Sequence, residues 1–313
     1  MNILITGSNG FLGQYLCQHL AEQSYSILAQ TRKPQKFTHS AVTNINFDLN
    51  DDLDNIDLSQ VDVIAHCAGR AHVMNETATS PLDAYRQTNV QGTLNLAKKA
   101  VQSGVKRFIY LSSIKVNGEE TRETPFKPDD LFKSNDPYGV SKYEAEQELL
   151  ELAKNAKLEV VIIRPVLIYG PHVKANFKNM INLANKKIPL PIGCLDNKRS
   201  IVSVYNLADL IEVCLTHPNA KNEIFLVSDQ DDISVKQLFE KLAYYQNNKL
   251  MILPIPKKLI SLLATLVGKG AMASRLCSEL VVDTSKNTKL LDWTAPYSVD
   301  KSLEKMFNTP HKN

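Results

Sequence analysis

The sequence predicts an α/β protein, a doubly wound parallel sheet carrying a smaller C-terminal lobe. Short apolar runs alternate with longer helical patterns through the first half of the 313 residues. Those runs are continuously apolar, as in strands buried on both faces. A glycine triad, "TGSNGFLG", closes the first run and opens the first helical pattern. Strand–helix–strand repetition at this spacing implies right-handed crossovers and hence parallel strands.

In chain order, "NILIT" reads as a strand and "FLGQYLCQHLAEQ" as a helix. "YSILAQ" and "VDVIAHCAG" are strands. "PLDAYRQTNVQGTLNLAKKAVQSG" is one long helix closed by a glycine. "RFIYLSS" is a strand, "YGVSKYEAEQELLELAKNA" a helix and "LEVVIIRP" a strand. After Pro165 the rhythm breaks, and "PLPIG" and "LPIPK" are proline-rich. "NEIFLVS" is one more buried strand that returns to the sheet. The reading is a domain over 1–169 that 204–229 rejoins, and a lobe from 170–203 and 230–313.

With 43% hydrophobic and 22% charged residues, the composition is that of an ordinary globular chain. A net charge of +3, without a long Lys/Arg run, predicts no nucleic-acid partner. Five scattered cysteines with no Cys-x-x-Cys fit a reducing compartment. The chain opens directly into a strand, so no secretory signal is expected and the cytoplasm is the default location. The longest apolar run, "LISLLATLVG", is about half a membrane span, and a packed helix is expected there rather than membrane contact. No histidine spacing suggests a metal.

The triad predicts a Rossmann-type dinucleotide site. Gly7 allows the tight turn, Gly10 lets backbone approach a pyrophosphate and Gly13 lets helix and strand pack closely. Asn9, Phe11 and Leu12 complete the turn and the positive helix start. The second strand ends in Gln30, Thr31, Arg32 and Lys33, with no acid to hold a ribose 2′-hydroxyl. Arg32 suits a 2′-phosphate, so NADP(H) is favoured, with NAD(H) the alternative. Asp48 and Leu49, in "FDL", fall where a carboxylate takes the adenine amino group. Cys67, Ala68 and Gly69 end a sheet strand, and the small Ala68 and Gly69 let a cofactor lie close. Pro165 closes another strand at that edge.

Tyr-x-x-x-Lys occurs three times, at Tyr138/Lys142, Tyr245/Lys249 and Tyr297/Lys301. Each would put its two side chains on one helix face. The pattern alone does not choose among them, and a solvated face is the ordinary reading of such a pair.

"TGSNGFLG", "HCAG", "NVQGTLNL", "YLSSIKVNG", "PYGVSK" and "IRPVLIYGP" occur in that order. The ordered set, over nearly the whole chain, resembles the extended short-chain dehydrogenase/reductases of the nucleotide-sugar epimerase/dehydratase branch. The resemblance singles out Tyr138 and Lys142, with Ser113 as the matching serine and Asn89 as a residue steadying the helix and a relay water. It implies that hydride moves between a sugar carbon and nicotinamide while Tyr138 moves the proton. Ionising a free tyrosine at pH 7 costs about 4 kcal/mol, and a neighbouring ammonium offsets much of that.

The resemblance also implies a nucleotide-diphosphate sugar, most often UDP-linked. Its candidate contacts are Arg70, His72, Lys115, Asn176, Phe177, Arg199 and Arg275. Arginine forks suit phosphate. A homodimer through the helices carrying "GTLNLAKKA" and "YEAEQELL" is implied too. Leu167 replaces an asparagine common in the branch's sugar 4-epimerases. Taken with Arg32, that favours reduction of a 4-keto-6-deoxy UDP-N-acetylhexosamine for surface polysaccharide, as in an O-antigen subgroup that makes UDP-N-acetylquinovosamine. A UDP-sugar 4-epimerase is the alternative. Dehydration is disfavoured because Ser-Ile-Lys stands where dehydratases carry an acidic pair. A non-catalytic NADP-binding module would not need Ser113, Tyr138 and Lys142 together.

Overall fold

A computed structural model describes residues 1–71, 80–186, 188–266, 268 and 270–308. Its centre is a parallel seven-stranded sheet. The strands are β1 (Asn2–Thr6), β2 (Ser26–Thr31), β3 (Val42–Asn46), β4 (Val63–His66), β5 (Arg107–Leu111), β6 (Glu159–Pro165) and, after three short strands of the lobe, β10 (Ile224–Val227). They lie in the order β10-β6-β5-β4-β1-β2-β3. The strand expected from "NEIFLVS" does rejoin the sheet, pairing with β6 at one edge.

Alternation across β1 divides the core. Ile3 and Ile5 face a cluster with α1 (Phe11–Glu22) and α6 (Val204–Thr216). Leu4 faces the other side, with α3 (Gly92–Gln102) and α4 (Pro137–Asn155). Both faces are covered, which is why the strands read as unbroken apolar runs.

The sequence reading missed β3, "VTNIN". It is the opposite edge strand and half of it is exposed, so no continuous apolar run announces it. The helix expected over 81–104 is interrupted. After α2 (Pro81–Arg86), residues Gln87–Gln91 form a π turn before α3 begins. The chain then leaves helix at Gly104, with φ +76°.

The lobe has its own cluster, in which Tyr169, Phe177, Leu238, Phe239 and Leu303 are buried. Its sheets are small. Strand β7 (Leu167–Tyr169) pairs with β9 (Ile201–Ser203), and β8 (Lys198–Arg199) with β11 (Ile233–Ser234). Around them lie α5 (Ala175–Ala184), α7 (Val235–Tyr245), α8 (Lys257–Leu266), α9 (Gly270–Cys277) and α11 (Val299–Asn308), whereas α10 (Ser285–Leu291) packs on β10 of the central sheet, Asn287 Nδ2 donating to the Leu226 carbonyl at 2.9 Å.

Candidate active site

The glycine turn rests on the carboxyl edge of the sheet. Gly7 adopts φ +66°, and a Cβ there would lie 2.8 Å from the Ala68 backbone. A Cβ at Gly13 would come within 2.2 Å of the Gly7 carbonyl oxygen, so α1 packs directly on the turn. Gly10 precedes α1 in extended conformation, and no side chain caps that helix. Its first turn carries no acid. An uncapped, positive helix start beside bare backbone fits a pyrophosphate. Asn9 is exposed and Phe11 half-buried there, while the Leu12 side chain belongs to the core.

Gln30 has a structural role that the sequence did not announce. It is buried, its Nε2 donates to the Phe47 carbonyl at 2.6 Å, and its Oε1 accepts from Gly7 N at 3.1 Å. One side chain thus ties β2, the turn and the "FDL" segment together. Arg32, just beyond β2, is exposed and makes no hydrogen bond or ion pair among the described residues. Asp48 is half-buried and accepts from Asn50 N at 3.0 Å. The Leu49 side chain is buried, in reach of Gly92 at the start of α3.

At the end of β4, His66 lies between the Thr6 and Thr93 hydroxyls at 2.7 and 2.9 Å. Burial, with the Lys142 charge adding, pushes its pKa down to about 3, so the ring is neutral. Gly69 follows, and a Cβ there would sit 3.1 Å from Asn89 Oδ1 and 3.2 Å from Lys142 Nζ. Asn89 lies within the π turn and is buried. It accepts from Arg70 N at 2.7 Å and donates to the Arg70 carbonyl at 3.0 Å and to Ser141 Oγ at 2.9 Å. Asn89 thus clamps the loop after β4 to α4.

The structure brings Ser113, Tyr138 and Lys142 together. Asp136 caps α4, accepting from Gly139 N at 3.1 Å, and Pro137 opens the helix with its preset φ. Lys142 is buried and donates to the Leu111 carbonyl at the end of β5, at 2.9 Å. Its Nζ lies 4.6 Å from the Tyr110 ring centroid and 5.9 Å from that of Tyr138. Burial lowers the Lys142 pKa to about 8, against the pull of Cys67 and Glu146. Burial raises that of Tyr138 to about 12; the Ser113 hydroxyl draws it down, while Asp136 and Tyr85 raise it. The phenol is therefore neutral at pH 7, and added positive charge nearby would favour its ionisation.

One turn beyond Lys142, Glu146 forms a buried pair with Arg164 of β6, Nε to Oε1 at 2.9 Å. Arg164 also donates to Asn117 Oδ1 at 3.0 Å. Pro165, next along β6, is buried at the same sheet edge. The other two Tyr/Lys pairs lie in the lobe. Tyr245 donates to the Asp300 carbonyl, and Tyr297 packs on Tyr205.

The basic candidates converge. Lys115 pairs with Asp136 at 3.0 Å and with Glu119 at 3.2 Å. Glu119 also holds Arg275 at 3.2 Å. Arg199 donates to the carbonyls of Arg275 and Ser278 at 2.7 and 3.0 Å, and burial lowers its pKa. The bridging Glu119 was not foreseen. Asn176 is exposed on α5. Phe177 needs correction as a side-chain contact: it is 1% exposed and stacks on Tyr169 at 5.1 Å, so its ring belongs to the lobe core. The Arg70 guanidinium lies 5.6 Å from the Tyr85 ring centroid. His72 lies outside the described residues.

The chain is similar to known proteins. The family model described as NAD dependent epimerase/dehydratase matches residues 3–228. A Vibrio cholerae protein named UDP-glucose 4-epimerase is 43% identical over 97% of this chain and 93% of its own. An Escherichia coli O157:H7 protein named N-acetyl-alpha-D-glucosaminyl-diphospho-ditrans,octacis-undecaprenol 4-epimerase is 28% identical over the same shares. The crystal structure of a Thermotoga maritima UDP-glucose 4-epimerase with UDP-glucose superposes with a TM-score of 0.78 at 21% identity, covering 98% of this chain and 97% of that one.

Proposed function

The chain belongs to the NAD-dependent epimerase/dehydratase family, and from that premise we propose that it oxidises and re-reduces C4 of a sugar diphosphate, as a UDP-sugar 4-epimerase. The observation that carries this reading is the convergence of Ser113, Tyr138 and Lys142 beside the glycine turn. The 43% relative, matched end to end, favours epimerisation over other chemistry on that machinery. Both curated relatives are named for a 4-epimerisation on a sugar diphosphate, one nucleotide-linked and one polyprenol-linked.

In this reading the bound nicotinamide supplies a place for hydride. Tyr138 Oη moves the proton at the C4 oxygen, and Ser113 Oγ hydrogen-bonds that oxygen and orients it. The Lys142 ammonium favours the phenolate by charge, without itself donating the proton. Its tether to the Leu111 carbonyl fixes where that charge sits. The lobe over 170–203 and 230–313 holds the sugar diphosphate, with Lys115, Arg199 and Arg275 as its anion contacts.

A second reading, reduction of a 4-keto sugar by NADPH, is favoured by two residues. Leu167 is 37% exposed where the branch's 4-epimerases carry asparagine. Arg32 is free to meet a 2′-phosphate. The test is to release and identify dinucleotide from purified protein, then assay UDP-glucose, UDP-N-acetylglucosamine and 4-keto UDP-sugars. Retained NAD and interconversion of C4 epimers without net NADPH loss support the epimerase. Stoichiometric NADPH loss with a 4-keto sugar, weakened relative to NADH by Arg32→Asp, replaces it with the reductase. No turnover of any of them sinks both.

A further inference from the structure

Helix α8 is turned inside out. Leu259, Leu262, Leu263 and Leu266 recur at i, i+3, i+4 and i+7, and so share one face. They are 44%, 58%, 51% and 74% exposed. Ile260, Ser261 and Ala264, on the other side, are the half-buried ones, and Ile260 packs on the lobe core. A helix on a globular domain ordinarily turns its apolar stripe inward, and a contiguous exposed stripe marks an interaction surface. The segment leading into α8 extends the surface with Met251 and Leu253, both exposed. Exposed Ile188 adjoins it, since Leu190 N donates to the Met251 carbonyl at 2.9 Å.

The charge around this stripe is mostly of one sign. From Lys241 to Ser278 the sequence holds Lys241, Lys249, Lys257, Lys258, Lys269 and Arg275, and no Asp or Glu. From Lys174 to Leu195 it holds four further lysines and again no acid. Lys241 and Lys257 find their carboxylates elsewhere in the chain, at Asp300 and Asp196. Lys249 and Lys258 are exposed and make no ion pair among the described residues.

We propose that this face docks on the surface of an anionic lipid bilayer, its leucines in the acyl boundary and its lysines among the headgroups. Among the described residues no helix is long and apolar enough to cross a membrane, so the contact is peripheral. A second copy fits the face less well. An isologous contact would set one copy's lysines against the other's, with few carboxylates between them. Helix α8 packs on α9, whose Arg275 reaches Glu119, the partner of Lys115.

The test is co-sedimentation of the full chain with phosphatidylcholine vesicles, with and without one-third phosphatidylglycerol. Binding is expected to the anionic vesicles, falling about tenfold in neutral vesicles or high salt. Leu262→Glu with Leu263→Glu should lower binding about tenfold or more while leaving the melting temperature unchanged, because both side chains are already exposed. Failure of the intact chain to bind anionic vesicles overturns the proposal, as does undiminished binding by the double variant. A dimer that the double variant dissociates, with no vesicle binding by the intact chain, assigns the face to a second copy instead. Binding is read without substrate, so it stands or falls separately from the sugar chemistry.

Discussion

Lys142 and Lys115 both serve the candidate site, and they are held by opposite means. Lys142 is buried and bonded to a strand-end carbonyl, between aromatic rings, with Asn89 clamping the neighbouring loop. Lys115 lies between two side-chain carboxylates, Asp136 and Glu119, the second of which it shares with Arg275. Backbone partners at the end of a sheet do not move when a ligand arrives. Carboxylate partners are exchangeable, and an incoming diphosphate competes for the same cations. Under the proposed function, the difference would separate a reacting end, which must be preorganised, from a recognition end that opens to admit its ligand.

The sharpest way to break that contrast is to remove the reacting oxygen. Tyr138→Phe is expected to lower turnover by about 10²–10⁴-fold while dinucleotide binding, read by fluorescence, persists. Turnover near the parent level would move the proton transfer elsewhere. On the structural side of the same end, Glu146→Ala leaves the Arg164 guanidinium buried without its partner. Urea unfolding should show a loss of about 3–5 kcal/mol, and a loss below about 1 kcal/mol would mean that the guanidinium reaches water.

The His66 network adds a pH signature. The folded pKa of about 3 lies below the ordinary 6.5, so the unfolded chain binds the proton first as pH falls. The stability tied to the neutral ring is present above pH 6.5 and is lost on the way down toward 3, by about 3 kcal/mol at pH 4. His66→Gln should flatten that part of the urea-midpoint profile; an unaltered slope would assign the acid sensitivity to other groups. The smallest expected stability change belongs to the recognition end. Arg275→Ala should alter the unfolding free energy by under about 1 kcal/mol, as for exposed ion pairs, yet raise KM for a sugar diphosphate with kcat nearly kept. A fall in kcat alone would place Arg275 with the reacting groups.

The legibility of the sequence follows the same division. The central strands and the glycine turn were readable because each obeys a short-range rule, a buried run or a backbone requirement; the Tyr138/Lys142 pair was not, since its one-turn spacing occurs three times and only the order of the surrounding motifs chose it. Edge strand β3 was not, since three of its five residues are polar without regular alternation and none is fully buried, so it carries little signal. Gln30 was read only for the carboxylate it is not, and its bonds to Gly7 and Phe47 join segments that sequence distance conceals. Glu119 was invisible for a related reason: it lies at i+4 from Lys115, but its link to Arg275 spans about half of the chain. Phe177 shows the converse error, an expectation of ligand contact where an aromatic residue at helical spacing fills a core.

The five-residue turn at Gln87–Gln91 has a consequence for the chain's tolerance of length change. A π turn holds one residue more than an α turn of the same rise. Deleting one of the five would restore a regular helix with α2 and α3 still in phase, so the buried face of α3 would keep its partners. What would be lost is the bulged backbone that sets Asn89 against Arg70 and Ser141. The extra residue therefore serves the placement of one side chain, and its removal should spare the helix while loosening the loop after β4.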